Sequence, residues 1–239
     1  ENVSVGANSM LANTTGSYNT SVGYNALDAN TTANNGTAVG RAALTTNTTG
    51  ANNTAIGMSA LEGNTTGSES CAVGYRALTT QTGAGEVNNA LGADALRLTT
   101  TGQANNAMGH SALENNTTAS YNTAIGHRSM TSNSTGATNT AIGAYALQAN
   151  TTASENTAVG DYALSANTTG TGNCALGRQA LNNNTTASNN TGMGLYALYA
   201  NSTGSNNTAV GREASIANTT GQRNASFGKS ALGAVTTGQ

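Results

Sequence analysis

The side chains in this chain with the greatest capacity for chemistry are two histidines and two cysteines. His110 and His127 are 17 residues apart, which is also the spacing at which the rest of the sequence repeats. Equivalent positions in stacked strands lie about 5 Å apart, so these two imidazoles could share a metal ion. Protein metal sites need more ligands than two, and the equivalent positions of the flanking repeats hold Ala93 and Ala144. The sequence therefore predicts surface histidines and no metal or other cofactor.

The cysteines and hydroxyl side chains do not form a reactive pattern either. Cys71 and Cys174 each replace the threonine of a recurring Asn-Thr-Ala motif, six repeats apart. A disulfide requires Cα atoms within about 7 Å, so we expect two unpaired, buried small side chains. Serine and threonine occur in every repeat, but no histidine recurs beside them as a base. We expect a protein that is not an enzyme.

A 17-residue repeat organises the whole chain. A glycine recurs every 17 residues from Gly6 to Gly228, with one step of 18 between Gly74 and Gly92. The consensus is N-T-A-V-G-x-x-A-L-x-x-N-T-T-G-x-x, and fourteen copies account for all 239 residues. The sequence therefore predicts a single repeat domain over residues 1–239, with a one-residue insertion near 81–87.

The repeat is too short and too often interrupted for a helical unit. Glycine and the N-T-T turn-formers leave no room for two amphipathic helices, whereas β-branched residues mark N-T-A-V-G as a strand. We therefore predict an all-β fold, a parallel β-solenoid (β-roll or β-helix) of fourteen 17-residue coils. Each coil is expected to hold two short strands, one in N-T-A-V-G and one in the A-L segment.

Side chains alternate along a strand, so the apolar residue before the marker glycine and the alanine before it point in opposite directions. We expect the apolar residue and the later leucine to fill each coil. The predicted core ladder consists of Val22, Leu27, Val39, Leu44, Ile56, Leu61, Val159 and Leu164. The alanine column, which includes Ala38 and Ala158, fits either a crowded bend inside the coil or close packing against a neighbouring chain.

Two asparagines recur in each repeat. Stacked asparagine side chains can bond to their copies in the coils above and below, and the predicted ladder includes Asn19, Asn30, Asn53, Asn64, Asn122 and Asn150. Asn-Thr-Thr and Asn-Ser-Thr are also acceptor sequences for N-glycosylation in a secretory pathway. The candidate acceptors are Asn13, Asn30, Asn47, Asn64, Asn116, Asn133, Asn150, Asn167, Asn184, Asn201 and Asn218. A turn with an asparagine ladder explains the same pattern without sugar.

The variable positions after the marker glycine concentrate tyrosine and arginine, which are enriched at recognition surfaces. The candidate recognition face consists of Tyr145, Tyr162, Tyr196, Arg178 and Arg212. Ordinary solvated side chains are the alternative interpretation. Only 8% of residues are charged and the net charge is −2, which indicates no nucleic-acid partner. No apolar run approaches the length of a membrane span, so we expect no membrane insertion.

The motif N-T-A-V/I-G-x-x-A-L, seen with Asn53 at 53–57 and again at 139–143, resembles the head repeat of trimeric autotransporter adhesins. It is also similar to repeats in bacteriophage and giant-virus tail-fibre proteins. The resemblance covers all fourteen copies, although the 17-residue period is longer than that of the adhesin head and the N-T-T-G segment is additional. It implies a trimer of left-handed parallel β-rolls and an adhesive or host-recognition fibre.

These observations lead to two expected functions. The first is a structural and adhesive fibre or filament subunit at a cell or virion surface, outside the cell, whose partners are itself and a host-surface glycan or protein. Self-association would be a homotrimer or a head-to-tail polymer, because the C-terminal T-T-G-Q and the N-terminal E-N-V-S-V-G join in phase; an excerpt from a longer array explains the same phase. The second is an ice-binding solenoid, in which one threonine of each N-T-T pair faces outward.

Overall fold

The computed structural model describes residues 1–83 and 87–238, which contain short parallel strands joined by turns. They form two compact units, Glu1–Tyr121 and Asn122–Gln239. The strands of the first unit are β1 (Val3–Val5), β2 (Thr20–Val22), β3 (Thr37–Val39), β4 (Thr54–Ile56), β5 (Cys71–Val73), β6 (Asn89–Leu91) and β7 (Asn106–Met108). Those of the second are β8 (Thr123–Ile125), β9 (Thr140–Ile142), β10 (Thr157–Val159), β11 (Cys174–Leu176), β12 (Thr191–Met193), β13 (Thr208–Val210) and β14 (Ala225–Phe227).

Within each unit every strand pairs in parallel with the strand of the next repeat, so the predicted β-solenoid is confirmed. The register joins equivalent residues, with Thr37 opposite Thr54 and Ala38 opposite Ala55. The same register holds across the 18-residue step, where Ala72 lies opposite Ala90. The extra residue is therefore accommodated outside the strands. Part of the predicted insertion segment, residues 84–86, lies outside the described residues.

The A-L segment is a turn, and the second strand predicted there is absent from the described coils. Leu27, Leu44 and Leu61 have φ values of 50°, 52° and 51°, in the left-handed region where a strand cannot continue. The leucine N–H still bonds to the next coil, as from Leu27 to the Ala43 carbonyl at 3.0 Å. Left-handed backbone costs about 1–2 kcal/mol, whereas full burial of leucine contributes about 1.5–3 kcal/mol. Burial therefore outweighs the backbone cost.

The interior of each coil is lined by alanine and leucine rather than by the residue before the marker glycine. Ala38 is 0% exposed and Val39 is 36% exposed. The prediction that Val22, Val39 and Ile56 lie inside was wrong, since all three are exposed, and Val159 is half-buried. The predicted leucines Leu27, Leu44, Leu61 and Leu164 are fully buried.

The narrowness of the coil explains this choice of face. Gly192 takes the alanine position of β12, and a Cβ built there would lie 3.2 Å from both the Ala197 oxygen and Leu181 Cγ. A methyl group fits this space with small adjustments, but a β-branched side chain would not. The alanine column is thus a crowded coil interior, the first of the two explanations offered by the sequence.

Two columns of buried asparagine connect the coils. In the N-T-T column, Asn150 Nδ2 donates to Asn133 Oδ1 at 2.8 Å and to the Ala153 carbonyl of its own turn at 3.0 Å. In the N-T-A column, Asn122 Oδ1 accepts from the Asn139 backbone N–H at 2.9 Å. All six asparagines of the predicted ladder are buried. Each therefore satisfies polar groups both of its own coil and of a neighbouring coil.

One pair of substitutions leaves this network intact. Ser70 replaces an asparagine of the N-T-A column, and Gln81 replaces one of the N-T-T column. The longer glutamine side chain donates from Nε2 to Ser70 Oγ at 3.0 Å, and its Oε1 accepts from Asn88 Nδ2 at 3.1 Å. The reach lost at Ser70 is recovered at Gln81, so the buried polar groups stay paired.

Candidate functional site

The outward side of the strands carries a continuous apolar row in each unit. The third residue of each strand points away from the coil interior, since the middle residue points into it. This row, with the first residues of the strands beside it, is called the strand face. Its apolar members are Val5, Val22, Val39, Ile56, Val73, Leu91 and Met108 in the first unit and Ile125, Ile142, Val159, Leu176, Met193, Val210 and Phe227 in the second. Apolar character is retained at every strand, although side-chain shape is not.

Both cysteines lie on the strand face. Cys71 and Cys174 are the first residues of β5 and β11, and both are free and half-buried. The expectation that they are buried small side chains was therefore only partly met, because their position points outward and not into the coil. They lie beside the apolar row of the strand face.

A single column of threonine is exposed beside the asparagine turn. The hydroxyl of the first threonine of the pair is hydrogen-bonded to the next coil; Thr48 Oγ1, for example, donates to the Thr65 carbonyl at 3.0 Å. The second threonine of the pair is exposed, as the sequence predicted for one of the two. This column consists of Thr15, Thr32, Thr49, Thr66, Thr101, Thr118, Thr135, Thr152, Thr169, Thr186, Thr203, Thr220 and Thr237. Within the described residues these hydroxyls have no hydrogen bond to the protein.

The second unit carries a cluster of aromatic side chains after the marker glycine. Tyr145 and Tyr162 stack with ring centroids 4.7 Å apart and an interplanar angle of 18°. His127 meets Tyr145 edge-on at 5.3 Å. Tyr196 meets Tyr199 edge-on at 5.6 Å, and Gln179 occupies the intervening coil at the same column. The structure therefore brings together two members of the predicted recognition face and adds His127 and Tyr199.

The two arginines of the predicted face are paired with carboxylates of the same surface. Arg178 Nε lies 3.6 Å from Asp161 Oδ2, and both side chains are well exposed. Arg212 lies 2.8 Å from Glu213, and the hydrogen bond from Arg212 holds the pKa of the Glu213 carboxyl below its ordinary value. These acidic partners were missed by the sequence argument, although Asp161 shares its column with Arg178 one repeat away.

A second group of charges lies in the first unit. Arg97 is 2.6 Å from Glu114 and 3.4 Å from Asp94. Burial raises the pKa of Glu114, but hydrogen bonds from Arg97 and Ser111 outweigh it and hold the pKa below its ordinary value. Each charged side chain of this group is ion-paired within the group, as is common in structural ion-pair networks, although Asp94 Oδ1 is buried and accepts no hydrogen bond within the described residues.

The asparagines proposed as glycosylation acceptors are unsuited to that role in the folded chain. Asn13 is half-buried and donates to the Gly16 carbonyl at 3.1 Å. The other ten are buried in the ladder. A glycosyltransferase needs the side-chain nitrogen that these residues commit to hydrogen bonds, as from Asn64 to Asn47 at 2.9 Å. The turn with an asparagine ladder, which the sequence offered as the alternative, accounts for the motif.

The fold and these surfaces define a β-solenoid repeat protein whose notable features lie on its exterior. Within residues 1–83 and 87–238, no three His, Cys, Asp or Glu side chains are grouped so that they could hold a metal ion. The described chain also has no helix long and apolar enough to cross a bilayer. Comparison with protein-family models, with curated proteins and with solved structures finds no match for this chain.

Proposed function

We propose that this chain is a structural and adhesive subunit of an extracellular fibre on a cell or virion surface, which associates with copies of itself through the strand face. The observation that supports this proposal is the apolar row. An apolar stripe that runs through every strand of a unit and is exposed at most of them is typical of a surface that another chain covers. The resemblance of the N-T-A-V/I-G motif to trimeric fibre repeats favours a homotrimer.

The periodicity of the row supports a second copy of this chain as the occupant. Successive apolar side chains are one coil apart, about 4.8 Å. The strand face of an identical chain has the same step, so parallel copies meet at every coil without accumulating a mismatch. The row changes from valine to isoleucine, leucine, methionine and phenylalanine while staying apolar, which a protein interface tolerates. Charged side chains are absent from its third-residue positions.

Charging the strand face should dissociate the assembly. In the double variant Ile125→Asp and Ile142→Asp, two carboxylates would have to be desolvated at the interface, so we expect a shift from trimer to monomer in sedimentation-velocity experiments. The control variant Thr135→Asp and Thr152→Asp adds the same charge in the same two repeats on the threonine column, and it should remain trimeric. Both variants change exposed residues and should keep the circular-dichroism spectrum of the parent.

Oxidative crosslinking gives an independent readout of the same contact. Parallel copies in register bring Cys71 next to Cys71 and Cys174 next to Cys174, so covalent dimers should form through like pairs only. A parent protein that sediments as a monomer at all concentrations, or an assembly that survives the strand-face aspartates, would refute association through this face. In the latter case contacts at the coil ends, as in a head-to-tail polymer, become the better explanation.

A second candidate function, ice binding, is favoured by the exposed threonine column. Rigidly spaced hydroxyl and methyl groups on an uncharged surface can order water, and the first threonine of each pair holds the turn in place. The exposed column is one residue wide, and the apolar row of the strand face varies in side-chain shape, so the fibre is the stronger proposal. We expect no thermal hysteresis at millimolar protein. Thermal hysteresis in the parent protein that disappears in the variants Thr152→Lys and Thr169→Lys would instead support ice binding as the function.

A further inference from the structure

We propose that Asn35 and Gly36 form a deamidation site, a place of chemical modification that is blocked while the neighbouring coils stay stacked. They are the single Asn-Gly pair of the sequence, and Gly36 takes a position of the N-T-A column that holds asparagine in most repeats. Glycine has no side chain to shield its backbone nitrogen, so an asparagine before glycine is the most reactive kind. The pair lies outside the strand face, and the inference does not depend on the proposed fibre function.

The reaction needs only these two residues and water. The Gly36 backbone nitrogen loses its proton and attacks Asn35 Cγ. A bond forms between these two atoms, the bond from Cγ to Nδ2 breaks, and Nδ2 takes up a proton and leaves as ammonia. Water then opens the succinimide ring at either carbonyl carbon. One opening gives aspartate, and the other gives isoaspartate, in which the main chain runs through the former side chain.

The folded chain holds the attacking nitrogen away from this reaction. Gly36 is buried, and its N–H donates to Asn19 Oδ1 at 2.7 Å. Loss of the Gly36 proton would leave a buried negative charge next to the Asn19 oxygen, which is costly where water cannot solvate it. Asn35 is exposed, and its Nδ2 donates to Asn52 Oδ1 at 3.0 Å. The carboxamide is therefore accessible, whereas the nitrogen that must attack it is not.

The contact with Asn19 determines when the Gly36 nitrogen can react. Asn19 lies one repeat before Gly36, and its Nδ2 donates at 2.8 Å to the Ala33 carbonyl, in the turn that leads to Gly36. Separation of the coils at this point breaks the bond to Gly36 and admits water. Repeats of a solenoid contact only their neighbours, so such an opening is local. The deamidation rate therefore measures how often these coils open.

The isoaspartate product would prevent the coils from closing in their present register. The Asn35 N–H bonds to the Ser17 carbonyl at 3.1 Å, and the Thr37 N–H bonds to the Asn53 carbonyl at 2.9 Å. These bonds fix the main chain to the preceding and the following coil within two residues of each other. Isoaspartate adds one carbon to the main chain between the two N–H groups, so both bonds cannot keep their geometry. We expect the modification to loosen β3.

Peptide mass spectrometry can measure the reaction in a mildly alkaline buffer made with heavy-oxygen water, since each hydrolysis then adds a mass label. We expect Asn35 to react at least about tenfold more slowly in the folded parent protein than in urea-unfolded protein, because reaction requires a local opening. In folded Asn19→Ala protein the rate should rise about two- to tenfold, which is the free energy of one hydrogen bond expressed as a rate factor.

The chain offers matched controls. Asn52 occupies the equivalent position one repeat later but is followed by Asn53, so it should react slowly even in unfolded protein. Gly36→Asn restores the consensus residue and should suppress the reaction at Asn35 in folded and unfolded protein. Asn156→Ala removes a similar acceptor in the second unit, where Asn156 Oδ1 accepts from a backbone N–H at 3.0 Å. It should leave the folded rate at Asn35 unchanged.

Three results would overturn the proposal. The first is equal rates at Asn35 in folded and unfolded parent protein, a comparison that needs no variant and therefore holds even where Asn19→Ala does not fold. The second is a folded Asn19→Ala protein, checked by circular dichroism, that reacts at the parent rate. The third is an equal rise in Asn19→Ala and Asn156→Ala, which would show that global unfolding and not the Asn19 contact exposes the nitrogen.

Discussion

Alanine in place of Asn184 is expected to destabilise the second unit by about 3 kcal/mol. Asn184 is fully buried. Its Nδ2 donates to Asn167 Oδ1 at 3.0 Å and to the Ala187 carbonyl at 2.9 Å, and its Oδ1 accepts from Asn201 Nδ2 at 3.0 Å. The substitution removes three hydrogen bonds, each worth about 0.5–1.5 kcal/mol, and leaves the buried Asn167 Oδ1 without this donor. The Ala187 carbonyl keeps its bond from Asn173, and Asn201 Nδ2 keeps its bond to the Gly204 carbonyl.

The neighbouring residue provides a matched control for this prediction. Asn183 is exposed, and its position holds alanine in other repeats, as at Ala149 and Ala166. Asn183→Ala should therefore change the free energy of unfolding by less than about 0.5 kcal/mol. Equilibrium urea unfolding of the two variants and the parent measures the difference. Equal effects at Asn183 and Asn184 would show that the ladder does not hold the coils together.

The second large effect is expected at a marker glycine, with Gly211→Ala compared with Gly228→Ala. Both glycines have positive φ, 132° and 114°. A Cβ at Gly211 would lie 2.5 Å from the Gly228 oxygen and 2.6 Å from its carbonyl carbon, whereas a Cβ at Gly228 meets no atom within 4 Å. Gly228→Ala therefore carries only backbone strain, about 1–3 kcal/mol.

Gly211→Ala adds a clash with a backbone that has little freedom to move. The Gly228 N–H is bonded to the Val210 carbonyl at 2.8 Å, so relief of the clash would break the ladder between these coils. We expect a loss of more than about 4 kcal/mol, a value rare among single substitutions. Thermal unfolding followed by circular dichroism provides the comparison. If Gly211→Ala and Gly228→Ala had the same melting temperature, positive φ alone would explain why glycine is required at this position, and the close approach of the next coil would not contribute.

The repeat period carried most of the fold prediction, because a step of 17 residues with apolar residues in strict phase leaves few architectures. The choice of face failed at Val39 and Ala38, since hydrophobicity ranks valine above alanine for burial. The width of the coil decided which face is buried. That width follows from the short distance between the Gly192 backbone and the Leu181 side chain, which the sequence alone does not give. The turn at Leu44 was equally hidden, because a left-handed leucine has no distinctive sequence signal.

The surface contacts were partly predictable, because the repeat period shows which residues stack in adjacent coils. Stacking of Tyr145 on Tyr162 follows from their spacing once the coils are known to be in register. The pairing of Arg178 with Asp161 needed the identity of the neighbouring column as well as its spacing. The strand face could not be recognised from the sequence while its apolar residues were assigned to the interior.

The hydrogen bonds between asparagines one repeat apart also affect which changes in repeat number the protein can tolerate. Loss or gain of one repeat brings together coils that offer the same donors and acceptors, so the chain can shorten or lengthen by whole coils. Repeats whose buried side chains depart from the consensus together resist this exchange. Gln81 is bonded to Ser70 and Asn88, and Ser215 is bonded to Ser226 within 2.9 Å. Recombination that separated either set would leave a buried polar group without its partner, so loss of one of these repeats is expected to destabilise the coils beside it.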